Sequence, residues 1–231
     1  MLEIKNLNAY YSNIQVLFGI DLVIEESDIA VVVGANGAGK TTLLKSIMNI
    51  EVSKTGSIKF RGVDITNMPT YSIARIGLHY IPDYTGLVPG LTLLENFYLA
   101  RGGRNIDLEK LENLYPDLPK LLNRRVDVLS GGERKISAIL RALLTNPKML
   151  LLDEPTEGVA PIMVERIIDL MKRISREEKI TILWTEPGAK LKKILKIANK
   201  VIVMRLGRIE YIGTSEEAER DIDKIKRLVF V

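Results

Sequence analysis

Nine consecutive residues, GANGAGKTT from Gly34 to Thr42, carry the strongest chemical signal in the chain. They follow a short apolar run, Ile29 to Val33, and lead into a helix-patterned stretch, Thr42 to Ile50. Strand, glycine-rich turn and helix in that order make G-x-x-x-x-G-K-T a phosphate cradle. Gly34, Gly37 and Gly39 let the backbone curl its N–H groups around an anion, with Asn36, Ala38 and Thr42 completing the loop. The helix that starts here adds its positive dipole end. Lys40 is placed to reach the β- and γ-phosphates of a nucleoside triphosphate, and the Thr41 hydroxyl to hold Mg²⁺.

Two further stretches carry chemistry. MLLLDEP, Met149 to Pro155, is an apolar strand ending in two carboxylates. That pattern sets a metal-facing Asp at a strand's carboxyl end, so Asp153 would hold Mg²⁺ through water and Glu154 would polarise the attacking water. LSGGE, Leu129 to Glu133, runs into helix-patterned RKISAILRALL. Ser130 reads as the helix cap, leaving the N–H groups of Gly131 and Gly132 bare as a second anion-binding helix start. One polypeptide does not need two γ-phosphate sites for one nucleotide. Two copies arranged head to tail would use both, each Ser130 helix closing on nucleotide in the other's cradle.

The elements that must position these residues alternate along the chain. Residues 2 to 11 and 16 to 24 read as antiparallel strands, with Tyr10 and Tyr11 in the turn between them. Tyr11 suits either stacking on a nucleobase or simple packing at a strand edge. Thr55 to Thr66 reads as a hairpin, Tyr71 to Ile76 as a short helix and Leu78 to Ile81 as a strand. Residues 84 to 146 change to helical spacing with few strand signals, which reads as an insertion because strand–helix alternation resumes after it. A helix over Pro161 to Glu178, a strand over Ile180 to Trp184 and a helix over Ala189 to Ala198 follow. Strands at 201–204 and 209–212 and a helical tail over 215–228 complete the pattern.

The bulk properties set bounds. The 231 residues are 46% hydrophobic and 27% charged, which is globular. A net charge of +4 is too weak to argue for nucleic acid. The absence of cysteine excludes disulfides and thiolate chemistry and fits a reducing compartment. No signal-peptide pattern opens the chain, and no apolar run approaches the roughly 20 residues that span a bilayer. The expected location is cytoplasmic.

The phosphate loop, LSGGE, MLLLDEP and the strand–helix order together resemble the nucleotide-binding subunit of an ATP-binding cassette transporter, across the whole chain. The opening LEIKNLNAYY, YSIARIGLHYIPD, LTLLEN and the GVAP after DEPTE resemble one branch, the ATPases of branched-chain (hydrophobic) amino-acid uptake systems. The resemblance implies an α/β fold: a P-loop NTPase core with a mostly parallel sheet, an N-terminal antiparallel β subdomain and an inserted α-helical subdomain. Residues 1–83 and 147–231 would form the core, and 84–146 the helical part. It implies ATP with Mg²⁺ as ligands and Tyr11 as the adenine-stacking residue. The implied partners are a second nucleotide-binding subunit, transmembrane permease subunits and, indirectly, a substrate-binding protein, with the chain on the inner face of the membrane through the permease. No nucleic acid is expected.

Three positions depart from the wider family. Asp83 stands where Gln is usual and would be a catalytic, water-holding group near Mg²⁺ with a shorter reach than the Glu common in the amino-acid branch. Ala160 stands where an Asp follows the catalytic Glu. Pro187 falls at the position of a switch His and offers no donor. His79, the one histidine, reads as a packed strand residue, Trp184 as core and the lysines of 190–200 as a solvated face. The competing functions are a nucleic-acid or ribosome-acting cassette ATPase, which usually has coiled-coil arms or two cassettes, and a GTP switch. The latter needs N-K-x-D, whereas Asn199-Lys200-Val201-Ile202 lacks the Asp.

Overall fold

A computed structural model describes residues 1–84 and 86–230. The chain opens with strands β1 (Leu2–Tyr11) and β2 (Ile14–Ile24), then β3 (Ile29–Val33), whose five residues are all buried. Helix α1 (Lys40–Met48) follows, then β4 (Ser53–Phe60), β5 (Val63–Asp64), α2 (Thr70–Arg75) and β6 (Leu78–Ile81). The middle of the chain is helical: α3 (Leu93–Ala100), α4 (Leu108–Leu114), α5 (Pro119–Leu122), a 3₁₀ turn (Val126–Val128) and α6 (Gly131–Leu143). Alternation then resumes with β7 (Met149–Asp153), α7 (Pro161–Glu178), β8 (Thr181–Glu186), α8 (Leu191–Ile194), β9 (Lys200–Arg205) and β10 (Arg208–Thr214). Two short helices, α9 (Ser215–Arg220) and α10 (Ile222–Phe230), end the described chain.

Two sheets result. One is antiparallel, in the order β2-β1-β4-β5; the other has six strands in the order β10-β9-β3-β8-β7-β6. From β6 across to β9 the larger sheet is parallel, and β10 adds an antiparallel edge. Its central strands are apolar throughout because both faces are covered. Along β3, Ile29, Val31 and Val33 point into a core shared with α6 and α7, whereas Ala30 and Val32 point into a second core shared with α1 and the antiparallel sheet. The same alternation divides β7, with Leu150 and Leu152 on one side and Met149 and Leu151 on the other. Helix α1 is thereby held between the sheets. This fixes the direction of the loop that feeds it.

Three local expectations need correcting. Tyr10 and Tyr11 lie within β1, paired with Gln15 and Ile14, so the turn is Ser12-Asn13. Ser12 takes the left-handed conformation (φ 51°) that lets two residues reverse the chain. The helix expected over 189–198 shrinks to Leu191–Ile194. After it the chain tightens through i→i+3 bonds (Lys196 to Lys193, Ile197 to Ile194) and delivers Asn199, which bonds Ile29 through both its N–H and its Oδ1. The tail is two helices, with a break at Asp221, and Ala218, Ile225 and Val229 are buried in the core.

Candidate functional site

In the parallel sheet β8 lies between β3 and β7, so the carboxyl ends of all three come together. Val33 pairs with Glu186, and Asp153 with Thr185. Ligands of open α/β sheets sit beyond such carboxyl ends. The loop after β3 depends on two glycines. At Gly34 an added Cβ would stand 2.3 Å from the carbonyl oxygen of Met204, and Gly39 has φ 102° with a would-be Cβ 2.8 Å from Leu17. Gly34 also ties the loop to β8 by donating its N–H to the Glu186 carbonyl (3.2 Å). Asn36 and Gly37 are exposed, while Ala38 and Gly39 are buried where the loop enters α1.

Lys40 is buried, with 4% of its surface exposed. Its ammonium donates to Gly34 O (2.9 Å) and Ala35 O (3.1 Å) and pairs with the Glu154 carboxylate (3.0 Å). Thr41, at the start of α1, donates its hydroxyl to Asp153 Oδ1 (3.1 Å). Thr42 is buried, and its carbonyl accepts from Ser46 Oγ (2.7 Å). Asp153 also accepts from Thr185 Oγ1 (2.8 Å) on Oδ1 and from Tyr80 OH (3.0 Å) on Oδ2. Burial drives the Tyr80 phenol well above its ordinary pKa, and the Asp153 charge adds to the rise. Tyr80 is therefore a fixed donor to that carboxylate.

Glu154 has φ 46°, a left-handed conformation that a side chain adopts at a cost of about 1–3 kcal/mol. Such strain persists only where the surroundings impose it. Here the Glu154 N–H donates to both the carbonyl (3.1 Å) and the hydroxyl (3.2 Å) of Thr185. Its carboxyl pKa is raised, first by burial and then by the neighbouring Glu157, with Lys40 opposing. A carboxylate with a raised proton affinity, held beside an ammonium, is suited to accept a proton from water.

The remaining residues singled out in the sequence sit around this cluster. Tyr11 is half-buried at the end of β1. Asp83 is exposed after β6, and its carboxylate accepts from the N–H of Tyr84 (2.8 Å). Ser130, Gly131 and Gly132 form a separate group at the start of α6. Ser130 and Glu133 make a reciprocal capping box, Ser130 Oγ accepting from Glu133 N and Glu133 accepting from Ser130 N. Among the described residues no acceptor takes the N–H of Gly131 or Gly132. A Cβ at Gly132 would stand 2.7 Å from Met163 Cβ, so α6 packs closely on α7 there. His79 lies on β6 with both ring nitrogens 3.4 Å from Thr145 Oγ1, and burial lowers its pKa.

Sequence reasoning missed several partners. Tyr80, Thr185, Lys135, Glu186 and Lys190 all bond residues of the cluster or of the loop after it. Thr185-Glu186 carried a usable signal: like Asp153-Glu154, it closes an apolar strand with polar groups. Glu186 is fully buried. Its Oε1 accepts from Thr156 N (3.1 Å), Thr156 Oγ1 (2.6 Å) and Trp184 Nε1 (2.9 Å). Trp184 is core, as expected, with its one polar atom satisfied by this carboxylate. Pro187 follows β8 directly and is half-buried.

The donor set fits a hard divalent cation, since Thr41 and Asp153 offer a hydroxyl and a carboxylate oxygen within one hydrogen bond of each other. Among the described residues no group of three or more His, Cys, Asp or Glu could hold a metal. A cation here would rely on phosphate oxygens and water for the rest of its shell, which is the habit of Mg²⁺.

Comparisons with known proteins bear on the family and the fold. The family model described as "ABC transporter" matches residues 17–157. The chain is 33% identical over 214 residues to the high-affinity branched-chain amino acid transport ATP-binding protein BraG of Pseudomonas aeruginosa, covering 90% of this chain and 91% of that protein. It is also 33% identical over 224 residues to the probable branched-chain amino acid transport ATP-binding protein LivF of Archaeoglobus fulgidus, covering 94% and 93%. Among solved structures, a nucleotide-free ATP-binding cassette from an ABC transporter superposes with a TM-score of 0.86 at 26% identity, over 100% of this chain and 98% of that one. The phosphate loop, the acid pair and the family match lead to one conclusion: the chain belongs to the ABC transporter family, as an ATP-binding cassette ATPase.

Proposed function

We propose that this chain hydrolyses ATP to drive an importer of branched-chain or other hydrophobic amino acids, working as a head-to-tail pair. What carries the reading is the meeting of Lys40, Thr41, Asp153 and Glu154 in one cluster, while α6 offers bare N–H groups elsewhere on the chain. The cargo follows the two relatives, both named for branched-chain amino acid transport. The same relatives leave the nucleic-acid alternative without support.

In this reading the loop from Gly34 to Thr42, through Asn36, Gly37, Ala38 and Gly39, wraps the phosphates, and Tyr11 stacks on the adenine. The loop does so with the N–H groups that have no acceptor of their own among the described residues, such as those of Asn36, Gly37 and Gly39. Lys40 exchanges its carbonyl acceptors and Glu154 for phosphate oxygens. Glu154, so released, takes the proton from the attacking water. Thr41 and Asp153 would hold Mg²⁺, with Asp83 approaching it through water; the ion supplies charge to the phosphate oxygens when bound. Ser130, Gly131 and Gly132 receive the γ-phosphate held by the second subunit. Residues 84–146 form the helical subdomain that faces the permease, with 1–83 and 147–231 as the ATPase core. A groove of about 330 Å³ lined by Asp83, Tyr84, Leu87, Pro89, Asp127 and Arg134 lies there, and Tyr84, Val88 and Val128 expose apolar surface on the same loops. Among the described residues no helix is long and apolar enough to cross a membrane, so the chain would reach the inner face through permease subunits. A substrate-binding protein would deliver the cargo to them.

The test is Glu154→Gln. Turnover should fall by about 10²–10⁴-fold, the usual contribution of a general base. ATP with Mg²⁺ should then accumulate a dimer on size-exclusion chromatography. Undiminished turnover, or a protein that stays monomeric at high concentration, would count against the two-site reading.

A further inference from the structure

Apart from the Lys40 ammonium on the Glu154 carboxylate, the loop from Glu154 to Glu157 is gripped from two directions. From the β8 side, Thr185 takes the Glu154 N–H, and Glu186 takes both the N–H and the hydroxyl of Thr156. Lys190 donates to the carbonyl of Thr156. From the other side comes a single side chain. Lys135 of α6 donates its ammonium to the carbonyls of Glu154 (2.5 Å) and Glu157 (2.9 Å). Among the described residues these are the only hydrogen bonds from α6 to that loop.

Lys135 is half-buried and lowered in pKa by that burial, with Glu186, Asp83 and Glu157 opposing the shift. It also lines the groove beside Asp83. A buried ammonium costs free energy unless its donors are used, and here both acceptors are main-chain carbonyls of the loop that bears Glu154. Lys135 follows Gly131 by four residues, which puts the two on one face of the same helix.

We infer that Lys135 is a positioning residue for Glu154, through which the placement of α6 sets the Glu154 backbone. The inference rests on the reading that Glu154 is the base and that the start of α6 meets the second subunit's nucleotide. A helix is stiff along its length. A shift at Gly131 moves Lys135 with it and pulls the Glu154 carbonyl, while Thr185 holds the Glu154 N–H in place. The peptide groups on either side of the Glu154 α-carbon are then referred to different elements, β8 and α6. The direction of its side chain depends on their relative position.

The experiment is steady-state ATPase of the full chain bearing Lys135→Met, Lys135→Gln or Lys135→Arg, with Glu154→Gln alongside. Misplacing a reacting group slightly costs up to about 10²-fold, so Lys135→Met should lose at least about tenfold in kcat. KM for ATP should stay within about twofold, because the contact acts on the chemical step and not on binding. Lys135→Arg, whose fork also donates to two carbonyls, should recover most of kcat, and Lys135→Gln should fall between. Lys135→Met with parental kcat, a kcat loss matched by loss of affinity and melting temperature, or failure of Arg to rescue would each overturn the inference. If Lys135→Met does not fold, the order of Arg above Gln in kcat decides instead, and equal values overturn it. Inactive Glu154→Gln beside a fully active Lys135→Met would sink the positioning role alone. Fully active Glu154→Gln would sink the underlying reading and this inference with it.

Discussion

The cradle after β3 and the start of α6 are both glycine-rich loops that open a helix, yet they are finished differently. In the cradle and beside it the charged side chains already have partners within the chain: Lys40 serves two carbonyls and a carboxylate, and Asp153 receives three hydroxyls. At α6 only the cap is satisfied, by Ser130 and Glu133, and among the described residues the N–H groups of Gly131 and Gly132 are left over. In the cradle Lys40 binds phosphate by exchange, trading one acceptor for another, beside loop N–H groups such as those of Asn36 and Gly37 for which no acceptor is found among the described residues. A site of bare donors binds by addition. On the proposed head-to-tail reading, the difference lets one chain hold a nucleotide and still offer a second surface to a nucleotide held elsewhere.

Three measurements break or sharpen that contrast. The largest effect belongs to Lys40→Ala. Losing one preorganised donor to developing charge typically costs about 10²–10³-fold in turnover. The exchange view adds that the melting temperature should drop too, because Gly34 O, Ala35 O and the Glu154 carboxylate all lose their donor. A variant with near-parental ATPase activity would remove Lys40 from the phosphate contacts. An inactive one with unchanged melting would show that the ion pair with Glu154 contributes nothing to the fold.

Ser130→Ala comes next. Deleting a Ser cap costs about 0.5–2 kcal/mol, and about 1 kcal/mol moves the melting temperature of a domain this size by roughly 2–4 °C. In the Glu154→Gln background the ATP-driven dimer should weaken, while nucleotide binding by the single chain is kept. If the dimer forms equally well, the start of α6 is not the second half of the site. The smallest effect belongs to His79→Gln. The ring faces Thr145, outside both groups, so turnover should stay within a few-fold of the parent. A fall as deep as that of Glu154→Gln with unchanged melting would restore a catalytic histidine and unseat Pro187 as the switch position.

The legible parts of the molecule were those whose chemistry is contiguous. Gly34 to Thr42 bends, binds and starts a helix within nine residues, so its conformation is largely a local matter of glycines and a helix start. The apolar strand β7 and its acid pair were equally plain, as was the amphipathic α7, whose bounds the spacing anticipated at both ends. Elements short enough to be decided by their neighbours were misjudged. Helix α8 contracts because Asn199 must reach Ile29, and the tyrosines of β1 stay in register because the antiparallel ladder extends to Tyr11.

What the sequence determined by itself was the type of chemistry: a phosphate cradle, a carboxylate pair and a capped, donor-rich helix start. What only the tertiary structure decided was who holds whom. Asp153 draws its three hydroxyls from Thr41, Tyr80 and Thr185, which lie 112, 73 and 32 residues away along the chain. The Glu154 loop is gripped by Lys135, Glu186 and Lys190 from three further elements or turns. None of these pairings has a local spacing to announce it. They follow from the strand order β3-β8-β7-β6, which is set by burying two apolar faces at once and which places the ends of distant strands side by side.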